Sequence, residues 1–122
     1  MNTPKILIID DESLTCRLIS TILKLQGYAS TSLTDPKQVM NVVESEQPGL
    51  ILMDYHLGSS HVLEILQKLK STESSRGIPV VMTSGMDYQK EAMAAGAQGF
   101  LVKPFDWAKL TRVINQLLNG IP

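Results

Sequence analysis

Residues 6–11 read ILIIDD and residues 50–54 read LILMD, so in both stretches four apolar residues end at aspartate. Apolar runs that are this short and uninterrupted are typical of parallel strands buried on both faces. Residues 80–84, VVMTS, and residues 100–103, FLVK, have the same form and end at a hydroxyl and an ammonium group. Because the carboxyl ends of parallel strands meet at one edge of a sheet, we expect these polar side chains to converge there.

Segments with helical spacing separate the apolar runs. The first predicted helix has four apolar residues that we expect to form its buried face: Leu14, Leu18, Ile22 and Leu25. Three aspartates, Asp35, Asp87 and Asp106, are suited to cap later helices. Residues 28–33 form the weakest strand, with three hydroxyl residues in a row, and we expect it near an edge of the sheet. Strands and helices in alternation predict one α/β domain over residues 1–122, a doubly wound parallel sheet of (βα)5 form.

The composition argues against several classes of protein. A chain of 122 residues has the length of one ordinary domain, which is ~100–200 residues. Its net charge of −1 creates no basic field, so we expect no direct contact with nucleic acid. The single Cys16 cannot form an intramolecular disulfide and fits a reducing compartment. No stretch approaches the ~20 apolar residues of a membrane span, so we expect a cytoplasmic location without membrane insertion.

Three carboxylates are expected at the ends of two strands, those of Asp10, Asp11 and Asp54. Two carboxylates ~5 Å apart repel by ~3 kcal/mol at an effective dielectric constant of ~20, so their juxtaposition calls for a cation. With a lysine and a hydroxyl nearby, the cluster favours a hard cation such as Mg²⁺ and a phosphoryl group. A simpler interpretation is that Asp10, Asp11 and Glu12 complement the dipole of the first helix. That interpretation does not account for Asp54.

Four motifs in order resemble those of a known family. Residues 9–13 read IDDES, residues 52–55 read LMDY, residues 79–85 read PVVMTSG and residues 96–105 read GAQGFLVKPF. Together they resemble a response-regulator receiver domain of two-component signalling, of the chemotaxis-Y-like kind, and the resemblance covers essentially the whole chain. It implies the flavodoxin-like strand order 2-1-3-4-5, which is the order found in a protein of this family.

The resemblance implies that Asp54 is the phosphoacceptor and that the site binds Mg²⁺, with Mn²⁺ as a possible substitute. Asp11 and Asp54 would ligate the metal directly, Asp10 would hold a coordinated water, and the backbone carbonyl of His56 would be a further ligand. The nucleophile would become an aspartyl phosphate.

The resemblance also implies catalytic or switch roles for three more residues. Lys103, with a cis peptide bond to Pro104, would neutralise the phosphoryl oxygens. Ser84 would hydrogen-bond the phosphoryl group, and Phe100, at the position of the family's switch aromatic, would move inward with it. Ordinary roles remain open for all three: a solvated lysine, a serine that satisfies local backbone groups, and a phenylalanine packed in the core.

Neither histidine ring is expected to bind metal. His56 lies two residues after Asp54, where the chain leaves a strand, so we expect its ring to face solvent. His61 lies in a polar loop or at the start of a helix.

Several positions depart from the family pattern. Gly58, His61 and Val62 stand where the family often has a proline and an aspartate-glycine pair. Phe100 replaces the common tyrosine, and it follows Ser84 by about three residues fewer than is usual in the family. We therefore expect a fourth helix that is about one turn short or a clipped loop before it. These departures concern the surface that would contact a downstream partner rather than the phosphorylation residues.

The family implies a phospho-accepting module of two-component signalling or of a phosphorelay. Its phosphodonor would be a histidine kinase or a phosphotransfer protein, and phosphorylation would switch the face formed by the fourth helix, the fifth strand and the fifth helix. That face would contact a downstream protein partner or an effector domain, with dimerisation as a further possibility. The domain would not be an enzyme beyond its intrinsic self-phosphorylation and dephosphorylation.

Other classes of function remain as alternatives. The chain could be the receiver part of a longer DNA-binding regulator or of a hybrid kinase. A phosphatase with an aspartate nucleophile would need a second aspartate two residues later as a general acid, and His56 stands there. A flavin-binding electron carrier of the same fold would need a phosphate-binding loop after the first strand, where Asp10, Asp11 and Glu12 would repel phosphate.

Overall fold

The computed structural model of the chain describes residues 4–58 and 61–120. Within these residues, strands and helices alternate in sequence order, as the sequence predicts. The elements are β1 (Ile6–Ile9), α1 (Ser13–Leu25), β2 (Ser30–Leu33), a 3-10 turn (Pro36–Gln38) that leads into α2 (Val39–Glu46), β3 (Leu50–Asp54), α3 (Val62–Ser71), β4 (Val80–Ser84), α4 (Gln89–Ala94), β5 (Gly99–Val102) and α5 (Trp107–Asn119).

The strands form one parallel sheet in the order β2-β1-β3-β4-β5, which confirms the flavodoxin-like order. The weak strand β2 lies at an edge, as predicted. In register, Ile9 pairs with Met53, and Asp54 pairs with Thr83. The order reverses between β1 and β3, and ligands of open α/β sheets bind at such a switch point. The aspartates that follow β1 and end β3 flank it.

Two apolar layers cover the sheet, because successive strand residues point to opposite faces. On one face, Ile9, Met53 and Met82 pack with α2, α3 and α4. On the other, Ile8 and Leu52 pack with α1 and α5. The five residues of β3 are all buried, which is what a central strand covered on both faces requires.

The predicted buried face of α1 is wrong. Leu14, Leu18 and Leu25 are 61%, 48% and 76% exposed. The residues of α1 that pack on the sheet are Cys16, Ile19 and Leu23. Apolar residues lie at helical spacing on two sides of this helix, and spacing alone does not say which side meets the sheet.

Asp35 and Asp106 are N-caps as predicted, whereas the N-cap of α4 is Tyr88 rather than Asp87. Asp35 accepts a hydrogen bond from the amide of Lys37, and Asp106 accepts one from the amide of Lys109. Asp87 accepts from the amide of Gln89, the first residue of α4. Helix α4 has six residues. None of the helices in residues 4–58 and 61–120 is long and apolar enough to cross a membrane.

Candidate functional site

The ends of four strands bring the predicted site residues to one edge of the sheet. Asp10 follows β1, Asp54 and Ser84 end β3 and β4, and Lys103 follows β5. Backbone hydrogen bonds continue the strand pairing just beyond these ends, because the amide of Tyr55 donates to Thr83 and the amide of Lys103 donates to Ser84, both at 2.7 Å. The geometry of the site is therefore set by the sheet rather than by flexible loops.

Asp10, Asp11 and Asp54 come together as predicted. Each offers one carboxylate oxygen, and these atoms lie within 4.8 Å of one another. Asp10 and Asp54 are buried, with 3% and 8% of their surface exposed, while Asp11 is exposed. Burial lowers the dielectric screening between like charges, so the cluster is under electrostatic repulsion unless a cation neutralises it.

Lys103 supplies one positive charge to the cluster. Its Nζ lies 3.1 Å from Asp10 Oδ2 and 3.5 Å from Asp54 Oδ2. Burial acts to lower the pKa of Lys103, but the hydrogen bond to Asp10 and the charge of Asp54 outweigh it, so the pKa is raised. The peptide bond between Lys103 and Pro104 is cis, as the resemblance implies. A solvated surface lysine is excluded by these contacts.

Burial and two neighbouring groups set the ionisation of the Asp54 carboxyl. Burial raises the pKa of its carboxyl, and the amide of His56 and the charge of Lys103 only partly oppose this rise. The amide of His56 donates to Asp54 Oδ1 at 3.2 Å, while Oδ2 faces Lys103. A cation at the cluster would favour the ionised form of this carboxylate.

Asp10 uses its two carboxylate oxygens differently. Oδ1 accepts a hydrogen bond from the amide of Glu12 at 3.0 Å, where the chain enters α1. Oδ2 accepts from Lys103 at 3.1 Å. One oxygen of Asp10 therefore does contact the start of the first helix, as the simpler interpretation requires. The other binds Lys103, which that interpretation does not explain.

The donor set fits a divalent oxygen-seeking metal. All three candidate ligands are carboxylates, and carboxylate oxygens are the ligands of Mg²⁺ rather than of soft metals. Three carboxylates against the one ammonium of Lys103 leave two uncompensated negative charges when all four groups are ionised. That excess matches the charge of one divalent cation.

Ser84 is fully buried, and its hydroxyl has two hydrogen-bond partners within the described residues. The amide of Met86 donates to Oγ at 3.1 Å, and Nε2 of His56 lies 3.2 Å from the same atom. His56 is exposed, as expected, but its ring also contacts the Ser84 hydroxyl at the end of β4.

An aromatic cluster that the sequence reasoning missed holds this ring in place. Tyr55 and Tyr88 stack with ring centroids 4.3 Å apart and an interplanar angle of 6°. The His56 ring is T-shaped to both, with its centroid 5.3 Å from that of Tyr55 and 5.7 Å from that of Tyr88. The pair Tyr55-His56 directly after Asp54 was the only sequence signal, because Tyr88 lies more than thirty residues away along the chain.

Phe100 lies beside Met82 in the pairing of β5 with β4. It is half-buried and packs against the core on the face of α2, α3 and α4. The core-packing alternative is therefore part of its role.

The comparisons with known proteins agree with this architecture. Residues 6–115 match the model of the response regulator receiver domain. A phosphate regulon regulatory protein, PhoB of Pseudomonas aeruginosa, is 28% identical over 117 residues, which cover 93% of this chain and 51% of that protein. The DNA-binding master transcriptional regulator RpaA of Synechocystis is 30% identical over 95% of this chain and 49% of that protein. The chain thus spans about half the length of these two curated relatives.

Solved structures show the same fold. The receiver domain of NtrX from Brucella abortus is 27% identical, with a TM-score of 0.85, over 95% of this chain and 99% of that one. The receiver domain of a Pseudomonas aeruginosa sensor histidine kinase has a TM-score of 0.85 at 24% identity, over 96% of this chain and 98% of that one, and holds a magnesium ion in its active site cleft. From the match over residues 6–115, this chain belongs to the response regulator receiver domain family, the phospho-accepting modules of two-component signalling.

Proposed function

We propose that Asp54 is the residue that accepts the phosphoryl group. The observation that carries the proposal is its position: a buried carboxylate in the three-aspartate cluster, with the Lys103 ammonium 3.5 Å from its Oδ2. Asp10 is buried too, but it is the closer partner of Lys103, whose Nζ lies 3.1 Å from Asp10 Oδ2 and 3.5 Å from Asp54 Oδ2. Asp11 is exposed, which leaves Asp54 as the carboxylate best placed to act as the nucleophile.

The phosphodonor is a phosphohistidine of a histidine kinase or of a phosphotransfer protein. A carboxylate oxygen of Asp54 attacks phosphorus, a P–O bond forms as the P–N bond breaks, and the donor imidazole takes up a proton. Lys103 neutralises charge on the phosphoryl oxygens, which is the task of cations in phosphoryl transfer. Small donors such as acetyl phosphate react in the same way, with acetate as the leaving group, so self-phosphorylation needs no partner protein.

Asp10, Asp11, Asp54 and the backbone carbonyl of His56 would hold Mg²⁺, or Mn²⁺ in its place. When bound, the ion supplies positive charge to the phosphoryl oxygens. The excess negative charge of the cluster supports this assignment, and so does the magnesium ion in the cleft of the related kinase receiver domain.

Phosphorylation switches the face made by α4, β5 and α5. Ser84 and Lys103 draw toward the phosphoryl group, and Phe100 moves from its half-buried position inward. This face then binds a downstream partner or an effector domain, or a second copy of the chain. Because two relatives about twice as long as this chain are transcriptional regulators, an effector domain in the same polypeptide is the favoured arrangement. We place the whole unit, residues 1–122, in the cytoplasm with its donor.

Intact-mass measurement tests the assignment of Asp54. With acetyl phosphate and Mg²⁺, the protein should gain the mass of one phosphoryl group, and Asp54→Asn should gain none. Asp35→Asn is the matched control, since Asp35 is an exposed cap residue. An adduct that persists in Asp54→Asn would contradict the proposal, and omission of Mg²⁺ should suppress the adduct in the parent protein.

A further inference from the structure

The hydrogen bond between His56 and Ser84 links the acceptor loop to the switch residue. His56 follows Asp54 by two residues, and Ser84 ends the neighbouring strand β4. Nε2 of His56 and Oγ of Ser84 are 3.2 Å apart. Ser84 has no exposed surface, so its hydroxyl depends on protein partners for its hydrogen bonds.

The direction of this hydrogen bond follows from the chemistry of the partners. A serine hydroxyl has one proton to donate and two lone pairs to accept with. The amide of Met86 can only donate, and it occupies one lone pair of Ser84 Oγ. Buried polar groups are almost always hydrogen-bonded, and within the described residues the imidazole Nε2 is the partner able to accept the hydroxyl proton. Ser84 therefore donates to Nε2, and the proton of His56 sits on Nδ1.

The aromatic cluster makes this contact specific. Tyr55 and Tyr88 pack against the His56 ring in T-shaped contacts, at interplanar angles of 69° to each. Edge-to-face packing of this kind is favourable and restricts the orientation of a ring. The ring is thus held with Nε2 toward β4, although the residue lies at the surface.

We propose that His56 is a positioning residue that competes with the phosphoryl group for the hydroxyl proton of Ser84. The inference rests on the proposed function of Asp54 and deepens it. Phosphoryl oxygens only accept hydrogen bonds, so Ser84 must withdraw its single proton from His56 before it can donate to them. The His56–Ser84 bond thereby favours the unswitched arrangement, and it lowers the apparent affinity of the protein for a phosphoryl group.

A double-mutant cycle tests the competition. The probe is beryllofluoride with Mg²⁺, which mimics the phosphoryl group, titrated at about pH 8 because imidazole accepts only in its neutral form. His56→Phe keeps an aromatic ring and removes the acceptor, so beryllofluoride should bind about two- to tenfold more tightly, the effect of losing one competing neutral hydrogen bond. In a Ser84→Ala background, His56→Phe should change the affinity no further, because the two residues act through one bond.

The controls separate this role from a general effect of substitution. His61→Phe makes the same change at the other histidine and should leave the affinity unchanged. If His56→Phe folds poorly, His56→Leu is the second variant to measure. It lacks both the ring and the acceptor, and it should also bind beryllofluoride more tightly than the parent protein. Equal tightening with and without Ser84, or none in either background, would overturn the competition.

Nitrogen NMR of the imidazole tests the bond without any phosphoryl mimic. In the parent protein Nε2 should give the signal of an unprotonated, hydrogen-bonded nitrogen, and Ser84→Ala should move that signal. If the Nε2 signal is the same in Ser84→Ala as in the parent protein, the inference about His56 is wrong, while the proposed role of Asp54 is unaffected. A protein that takes up neither beryllofluoride nor phosphate would instead overturn the proposed function, and the competition with it.

Discussion

The ammonium group of Lys103 donates a hydrogen bond to Asp10 Oδ2 at 3.1 Å, joining the ends of β5 and β1 across the two strands that separate them. Asp54 Oδ2 is farther from the same nitrogen, at 3.5 Å. Without a phosphoryl group, the lysine is therefore held mainly by Asp10. This arrangement leaves the Asp54 carboxylate less neutralised than that of Asp10.

Lys103→Met should lower the stability of the metal-free protein and raise its affinity for Mg²⁺. Two buried carboxylates lose their cation, which should reduce the free energy of unfolding by ~1–2 kcal/mol, since Lys103 is partly exposed and its pairs are partly screened. The same change removes a positive charge next to the metal site. Urea unfolding and a Mg²⁺ titration measure the two effects, and weaker Mg²⁺ binding would contradict the assigned role of the lysine.

Asp11→Ala should abolish divalent-metal binding while the fold survives. Asp11 is the exposed member of the cluster, and its removal relieves repulsion between like charges. The melting temperature of the metal-free protein should rise or stay level. Glu12→Gln is the neighbouring control and should keep metal binding. A drop of several degrees in Asp11→Ala would show a structural role for this residue.

Ser84→Ala should accept a phosphoryl group but switch weakly. A charge-assisted hydrogen bond from Ser84 to the phosphoryl group is worth ~1.5–3 kcal/mol. Its loss should therefore reduce the ratio of switched to unswitched protein about tenfold or more. The measurement is Trp107 fluorescence and amide NMR shifts with beryllofluoride and Mg²⁺. Trp107 begins α5, where we expect a partner to contact Lys109 and Arg112. Full shifts at Phe100 and Trp107 in the variant would refute the coupling.

Tyr88→Ala should destabilise the protein by at least ~0.5–1.5 kcal/mol, because an aromatic pair contributes that much in addition to its buried area. The stack of Tyr88 on Tyr55 joins the loops after β3 and β4, so amide shifts should spread to Met86. Tyr88→Phe keeps the ring and should change the unfolding free energy by less than ~0.5 kcal/mol. Equal losses in the two variants would mean that the hydroxyl, not the stack, matters.

Glu46 should contribute to the acid sensitivity of the fold. Hydrogen bonds from Thr31 and Lys5 lower the pKa of its carboxyl from its ordinary value of 4.5. A carboxyl with a lowered pKa stabilises the fold above its unfolded pKa, and that stability is lost as pH falls through the folded pKa. The urea midpoint of Glu46→Gln should therefore fall less steeply than that of the parent protein between about pH 5 and about pH 3. Parallel curves would contradict this linkage.

Much of the fold and of the carboxylate site could be predicted from local sequence. Strand β3 is apolar at every position before Asp54 because both faces of a central parallel strand are covered. A strand in this environment can therefore be recognised in the sequence as a continuous apolar run. The polar residues at strand ends meet because parallel strands share one edge. Asp10, Asp54 and Lys103 could thus be placed together without knowledge of any side-chain contact.

The tertiary structure decided what local spacing leaves open. Helix α1 carries apolar residues on two sides, and only its docking on the sheet buried Ile19 and Leu23 rather than Leu14 and Leu18. The turn of the His56 ring toward Ser84 depends on stacking with Tyr88, which comes from a separate loop. The physical reason is that periodicity records the average environment of a segment, whereas the orientation of a helix or a ring is determined by contacts between distant parts of the chain.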